Sequence, residues 1–247
     1  MINFPKKNFE WNLIDIYNYN NKGKLFKYFE LIKKNINLDG DFFEAGVFRG
    51  HTLLSVALFL KKIKSKKKIY GFDTFSGFPP VYHKKDGLIN YKKEFKNKKI
   101  TKDQYLDYLK MKKIIKLFKK KIDSVNISSS GNFSNNSLDL LKKKINYLGL
   151  DNICLIKGPF DKTMPKFSAK LVGGIVDCDL YDSYKSTLKY LWPLININGF
   201  IFLDEYYSLK FPGAKIATDE FLLKKQFKRI EYKVTKNDFN RCIILKK

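Results

Sequence analysis

The stretch GGIVDCDLYDSYKSTLKYLWPLININGFIFLDEYY, residues 173–207, decides the fold. Its apolar runs GGIVDCDL and GFIFLDEY read as buried strands, and YKSTLKYLWPLI between them reads as a helix. Both strands end in acids: Asp177 with Asp179, then Asp204 with Glu205. Strand, helix and strand in this order make a parallel βαβ unit, and its carboxyl ends are where ligands of such sheets collect.

The pattern extends in both directions. Upstream, DFFEAGVFRGHTLLSVALFLKKI reads as a strand, a glycine-bearing turn and a helix with Leu53, Leu54, Ala57, Leu58 and Ile63 on one face. KKIYGFDTFSGFPP follows as a strand ending at Asp73, with Gly77, Pro79 and Pro80 enforcing a loop. NICLIKG is a further strand, ATDEFLLKKQF a helix and RCIILKK a closing strand. Residues 1–39 form a helical N-terminal segment, with Leu25, Phe29, Ile32 and Ile36 at helical spacing. Residues 81–150 are lysine-rich and mostly helical, interrupted by the polar NISSSGNFSNNS, and end in a helix with Ser137 as N-cap and Gly149 as its stop. They are expected to form a lid inserted into a single α/β domain spanning residues 1–247, a mostly parallel sheet flanked by helices.

The chain has 247 residues and a net charge of +25. Such a surface attracts polyanions, but only Arg49, Arg229 and Arg241 are arginines, and base readout favours arginine's planar fork. The lysine is spread through a chain also rich in asparagine and isoleucine, so nucleic acid is not the expected substrate. No apolar run is long enough for a transmembrane segment, and MINFPKKNFEWN lacks the apolar core of a signal peptide, so a cytoplasmic protein is expected. Cys154, Cys178 and Cys242 have neither disulfide nor zinc spacing. The aromatic N-terminal segment, with Phe4, Phe9, Trp11, Tyr17 and Tyr19, suits either a homo-oligomer contact or cover for its own domain.

The strand ends carry the chemistry. Glu44, Gly46 and Gly50 lie at the first strand-to-helix turn, where glycines admit a ligand to the backbone and the helix offers free N–H groups. Asp73 is placed to accept hydrogen bonds from a ribose diol, or to cap its own turn with Thr74 and Ser76. Asp177, Asp204 and Glu205 end successive strands, and carboxylates so gathered repel unless a cation sits among them. Mg²⁺ or another hard divalent cation suits oxygen donors, binds hydroxyls and lowers their pKa, with Asp179 or a lysine taking the proton; solvated acids with no such role remain the alternative. His51 opens the first helix, facing either cofactor or solvent, and His83 follows Pro80, read as a surface residue. Trp192 and Pro193 read as core packing.

FFEAGVFRGHT, IYGFDTFSGFPP, LIKGPFDKTMP, the 173–207 stretch and PGAKIATDEF, in that order, resemble the macrocin O-methyltransferase (TylF/MycF) family over about residues 41–80 and 150–222. The resemblance implies a Rossmann-like class I methyltransferase fold with a seven-stranded sheet, S-adenosyl-L-methionine as methyl donor and Mg²⁺-assisted methylation of a sugar hydroxyl. It implies that Glu44, Gly46, Phe48 and Gly50 line the methionine end of the cofactor, with His51 and Thr52 following. Asp73 and Thr74 would lie at the ribose, Gly158 and Phe160 near the adenine. Asp177, Asp204 and Glu205 would hold the metal, with Asp177 and Asp179 catalytic. Glu205 stands where the family usually has a second aspartate, and residues 82–150 are longer than its pattern. The expected acceptor is a small molecule or glycan; the competing readings are a nucleic-acid methyltransferase and a non-catalytic protein that binds the cofactor or a sugar.

Overall fold

In the computed structural model, which describes residues 1–118, 122–123, 127–223, 225–233 and 238–247, the 173–207 stretch lies at the centre of a seven-stranded sheet. In chain order the elements are α1 (Asn8–Ile14), α2 (Phe26–Lys34), β1 (Asp41–Ala45), α3 (His51–Lys62), β2 (Ile69–Asp73), α4 (Asn90–Lys96), α5 (Lys102–Phe118) and α6 (Leu138–Leu148). They continue with β3 (Ile153–Lys157), α7 (Phe160–Thr163), β4 (Leu171–Val176), α8 (Tyr181–Leu191), β5 (Ile195–Leu203), α9 (Pro212–Leu222), β6 (Phe227–Tyr232) and β7 (Arg241–Lys246). The strand order is β3-β2-β1-β4-β5-β7-β6. All neighbours are parallel except β7, which runs antiparallel to both β5 and β6. The order reverses between β1 and β4, and that switch point sets where a ligand can enter.

The two-residue period of the central strands supplies both layers of core. Phe42, Phe200 and Phe202 face one layer, with Leu53, Leu54 and Tyr28. Phe43, Ile201 and Leu203 face the other, with Tyr184 and Leu188 of α8 and Ala214 and Ala217 of α9. With both faces covered, β4 is buried at every position. Its glycines are a packing device: a Cβ on Gly174 would overlap the Phe43 carbonyl oxygen and ring, and one on Gly173 the Phe200 carbonyl.

Three regions refine the expectations from sequence. The helix expected over ATDEFLLKKQF begins earlier, at Pro212, and stops at Leu222; Phe227 already belongs to β6, the one strand that sequence patterning did not mark. Charged residues interleave β6 because it is an edge strand paired on one side only. Within residues 81–150, α6 packs into the layer of α3 through Leu141 and Leu148, capped by Ser137 and ended at left-handed Gly149 as its sequence predicts. α4 and α5 instead pack near the loop after β5, where the Tyr91 hydroxyl donates to the Ser208 carbonyl at 2.6 Å. In the N-terminal segment Trp11 and Tyr19 are buried against this domain's own core, while Phe4 and Phe9 are exposed.

Gly174→Ala is expected to cost about 3 kcal/mol, because the added methyl meets backbone in a fully packed strand. Thermal unfolding checks this, with a fall of roughly 5 °C or more; an unchanged midpoint would show that β1 and β4 can separate without cost.

Candidate active site

Three left-handed residues, Gly46 (φ 92°), Phe48 (φ 51°) and Gly50 (φ 82°), curl the turn between β1 and α3. The curl aims the Val47 and Phe48 N–H groups at Asp73, whose Oδ2 accepts both at 2.8 Å. Its Oδ1 accepts the Phe75 N–H at 2.7 Å, and its main-chain carbonyl accepts the Gly158 N–H at 2.9 Å. Asp73 is therefore a cap, as one of the two open readings held, but chiefly of the neighbouring glycine turn. A carboxylate offers about four lone-pair sites, so capacity for a further donor remains.

Beyond this turn lies a cavity of about 700 Å³ at the carboxyl ends of β1, β2 and β4, within the usual range for small-molecule sites. Glu44, Gly46, Phe48, His51, Thr52, Asp73, Thr74, Phe160, Asp177 and Asp179 all line it. Gly50 does not: it abuts Leu141 and Leu54 on the core side, where a side chain would collide with α6. Gly158 is also outside the lining, one residue before Pro159, which lines it. His51 Nδ1 lies 3.3 Å from Asp15 Oδ1, and burial lowers its pKa in spite of that acid. His83 stacks on Tyr181, ring centroids 4.4 Å apart, away from the cavity lining.

The four acids that end β4 and β5 separate into two groups. Oxygen atoms of Asp177, Asp179 and Glu205 all lie within 4.8 Å of one another. Asp204 adjoins that trio but is ion-paired instead: Arg241 Nε donates to its Oδ1 at 2.7 Å, and Lys24 Nζ lies 3.8 Å from its Oδ2. The cause is topological, since β7 pairs antiparallel with β5, Leu203 beside Cys242, and so sets Arg241 next to Asp204. Tyr184 ties the two strand ends together, donating to the Val176 carbonyl at 2.9 Å and accepting from the Glu205 N–H at 3.2 Å.

Electrostatics follow the same division. Burial, then the charge of Asp204, pushes Asp177 up to about 7. Burial, then Asp204 and Asp177, pushes Glu205 up to about 8. Asp179 is raised well above the ordinary carboxylate range by burial and then by Glu205. Asp204 moves the other way, because Lys24 and Arg241 together outweigh its burial. Glu44, buried beside Asp177 and Asp73, is raised well above its ordinary value. Glu205 Oε2 and Glu44 Oε2 are buried without a hydrogen-bond partner. Three convergent carboxylates with an orphaned oxygen offer the kind of oxygen donors a hard divalent cation takes, so the residues present are compatible with Mg²⁺ or a similar ion.

Sequence reasoning did not single out several lining residues. Lys24 reaches the cavity from just before α2, where it reads as one lysine among many. Phe133, the lone aromatic of a polar loop, packs edge-on to Phe48 at 5.2 Å and against Phe78 at 4.9 Å, forming an aromatic wall. Its isolation in NISSSGNFSNNS was the available signal. Asp161, Asp182, Ser183 and Ser186 complete the polar lining around α7 and α8.

A parallel sheet with an antiparallel last strand pair, and a cavity at its switch point beside an acid-pinned glycine turn, defines the class I methyltransferase fold. Residues 24–120 and 129–246 match the macrocin-O-methyltransferase (TylF) family, and the chain belongs to that family. A demethyldecarbamoylnovobiocin O-methyltransferase of Streptomyces niveus is 24% identical over 190 residues, covering 76% of this chain and 60% of that enzyme, so the chain spans under two thirds of this relative's length. The O-methyltransferase NovP superposes with a TM-score of 0.60 at 17% identity, covering 96% of this chain and 79% of its own. The calicheamicin methyltransferase CalS11 gives 0.59 at 17% identity, covering 90% and 77%; it is a TDP-rhamnose 3'-O-methyltransferase.

The raised carboxyls must shed protons before they can hold a cation. Divalent-cation affinity is therefore expected to rise between about pH 6 and pH 9, with proton release on binding. In the absence of cation the sign for stability is opposite: acids with raised folded pKa values bind more protons folded than unfolded, so stability falls as pH rises through the same window. Calorimetric titration with Mn²⁺ in buffers of different ionisation heat checks the first statement, and thermal unfolding against pH the second. A pH-independent affinity without proton release would contradict the assignment.

Proposed function

We propose that the protein is an S-adenosylmethionine-dependent O-methyltransferase, assisted by Mg²⁺ or another divalent cation, that acts on a sugar hydroxyl of a glycan, glycolipid or natural product. The observation that carries this reading is the charge of the cavity. In a chain of net charge +25, Asp73, Asp161 and Asp182 line it together with Glu44, Asp177 and Asp179, whose carboxyls burial holds above the ordinary range, and Lys24 and His51 face them. Such a lining attracts cationic groups and repels phosphodiesters, which supports a sulfonium donor and a neutral acceptor and speaks against nucleic acid. When bound, S-adenosylmethionine supplies the electrophilic methyl group, and a divalent cation supplies charge that makes a hydroxyl more acidic.

The chain's own residues do the rest. Asp73, held by three N–H donors, has the capacity left for a ribose diol. Glu44, whose pKa burial and then Asp177 raise, adds less repulsion than a freely ionised acid would. Asp177, Asp179 and Glu205 form the cation set in this reading, with Asp204 fixing their surroundings through Arg241 and Lys24. Asp179 would accept the proton of an acceptor hydroxyl while the cofactor, when bound, supplies the methyl group and leaves as the thioether; an acid held above its usual range suits that role. The aromatic wall of Phe48, Phe78 and Phe133 suits the apolar face of a sugar ring or adenine.

Calorimetric titration with S-adenosylhomocysteine, with and without Mg²⁺, tests the donor site. Micromolar binding is expected, weakened at least tenfold by Asp73→Asn; no binding by folded protein would remove the reading. Methyl transfer from labelled S-adenosylmethionine to a panel of neutral glycans, glycolipids and glycosylated natural products tests the reaction. Asp179→Asn and Glu205→Gln are each expected to lower turnover by about 100-fold or more. Binding of the cofactor product with no transfer to any acceptor would favour a non-catalytic role.

A further inference from the structure

α5 is joined to the fold along one side only. Tyr108 is buried and donates its hydroxyl to the Leu88 carbonyl at 3.1 Å, and Tyr105 stacks on Phe95 at 4.6 Å. Met111 and Ile115 pack against the core on the same side. With 3.6 residues per turn, the opposite side presents Leu106 and Leu117, with Leu109 at its margin next to Tyr105. Leu106, Leu109 and Leu117 are 50%, 42% and 76% exposed, and exposed Ile114 and Phe118 widen the stripe towards the helix end. Lys102, Lys110, Lys113 and Lys116 are interspersed among them, and the helix as a whole has five lysines and two aspartates.

This combination discriminates between partners. A second copy of the same face would set lysine against lysine. A nucleic acid would pair with the lysines but leave the leucines in water. An anionic bilayer accepts both: leucines enter the boundary between headgroups and acyl chains, while lysine stems run beside them and carry the ammonium groups to lipid phosphates. No described helix is long and apolar enough to cross a membrane, and α5, with its charges, is suited to lying in the surface plane. We propose that α5 is a docking helix that seats this protein on an anionic lipid surface. The proposal is independent of the methyl-transfer reading.

Co-sedimentation of the full chain tests it, using vesicles of phosphatidylcholine with phosphatidylglycerol and vesicles of phosphatidylcholine alone. Binding to the mixed vesicles is expected, weaker at high salt and absent with phosphatidylcholine alone. The double substitution L106Q/L117Q should weaken it about tenfold, and K110Q/K113Q about fivefold per lysine. Thermal midpoints should stay unchanged, since the substituted side chains are exposed. Leucine variants that bind like the wild type would mean that surface charge alone attracts the vesicles, and would overturn the proposal. So would failure to bind the mixed vesicles, a wild-type dimer dispersed by the leucine substitutions, or RNA binding that those substitutions weaken in place of vesicle binding.

Discussion

Asp73 ties three strand ends together, two through its carboxylate and the third through its main chain. Its side chain fixes the Val47 and Phe48 amides after β1, while its main-chain carbonyl takes the Gly158 N–H after β3. Charge-assisted bonds of this kind are roughly twice as strong as neutral ones, and here they stabilise a turn with left-handed Gly46 and Phe48. A side chain at Gly46 would meet the Asp177 carbonyl, so the same curl sets the distance between the glycine turn and the acids of β4. The glycine turn and the acids that follow β4 are thus tied through backbone, and neither can shift without the other.

The acids at the ends of β4 and β5 present the opposite problem. Buried like charges are costly unless paired, protonated or shared with a cation. The chain uses pairing for Asp204, between Arg241 and Lys24, and leaves Asp177, Asp179 and Glu205 to be neutralised by protons or by a cation. Arginine is scarce in this sequence, with lysine supplying nearly all basic residues. At the buried pair the rigid guanidinium is the better choice, because it is weakly hydrated and its fork keeps a fixed geometry. It reaches Asp204 with Nε and the Phe239 carbonyl with NH1, at 2.7 Å each.

Much of this was legible from patterning. Alternating apolar strands and helices announced the parallel sheet, and acids following apolar runs announced the strand ends. What was hidden depended on neighbours remote in sequence. β6 goes unmarked because an edge strand with one partner tolerates charges. Asp204 reads as equivalent to Glu205 because nothing local reveals that β7 brings Arg241 beside it. Lys24 has no local mark at all, being one of 49 basic residues, and acquires its role only from the cavity it enters. Within residues 81–150, α6 carries the same lysine-rich surface as α5, and the buried Leu141 and Leu148 show that it packs into the layer of α3.

The two halves of the cavity are built to different tolerances. Its acids Glu44, Asp73 and Asp177 sit on β1 and β2 or immediately after β4, where ladder hydrogen bonds on both sides fix the backbone. Its aromatic wall depends on Phe78 and Phe133, carried by loops whose own main-chain bond, from the Phe78 N–H to the Asn132 carbonyl at 2.8 Å, joins one loop to the other. Insertions are accommodated in loops at small entropic cost. A fold that keeps its charged chemistry on strands and its apolar wall on loops can therefore change what it admits without disturbing the geometry of the acids, which is why family membership constrains the reaction more tightly than the acceptor.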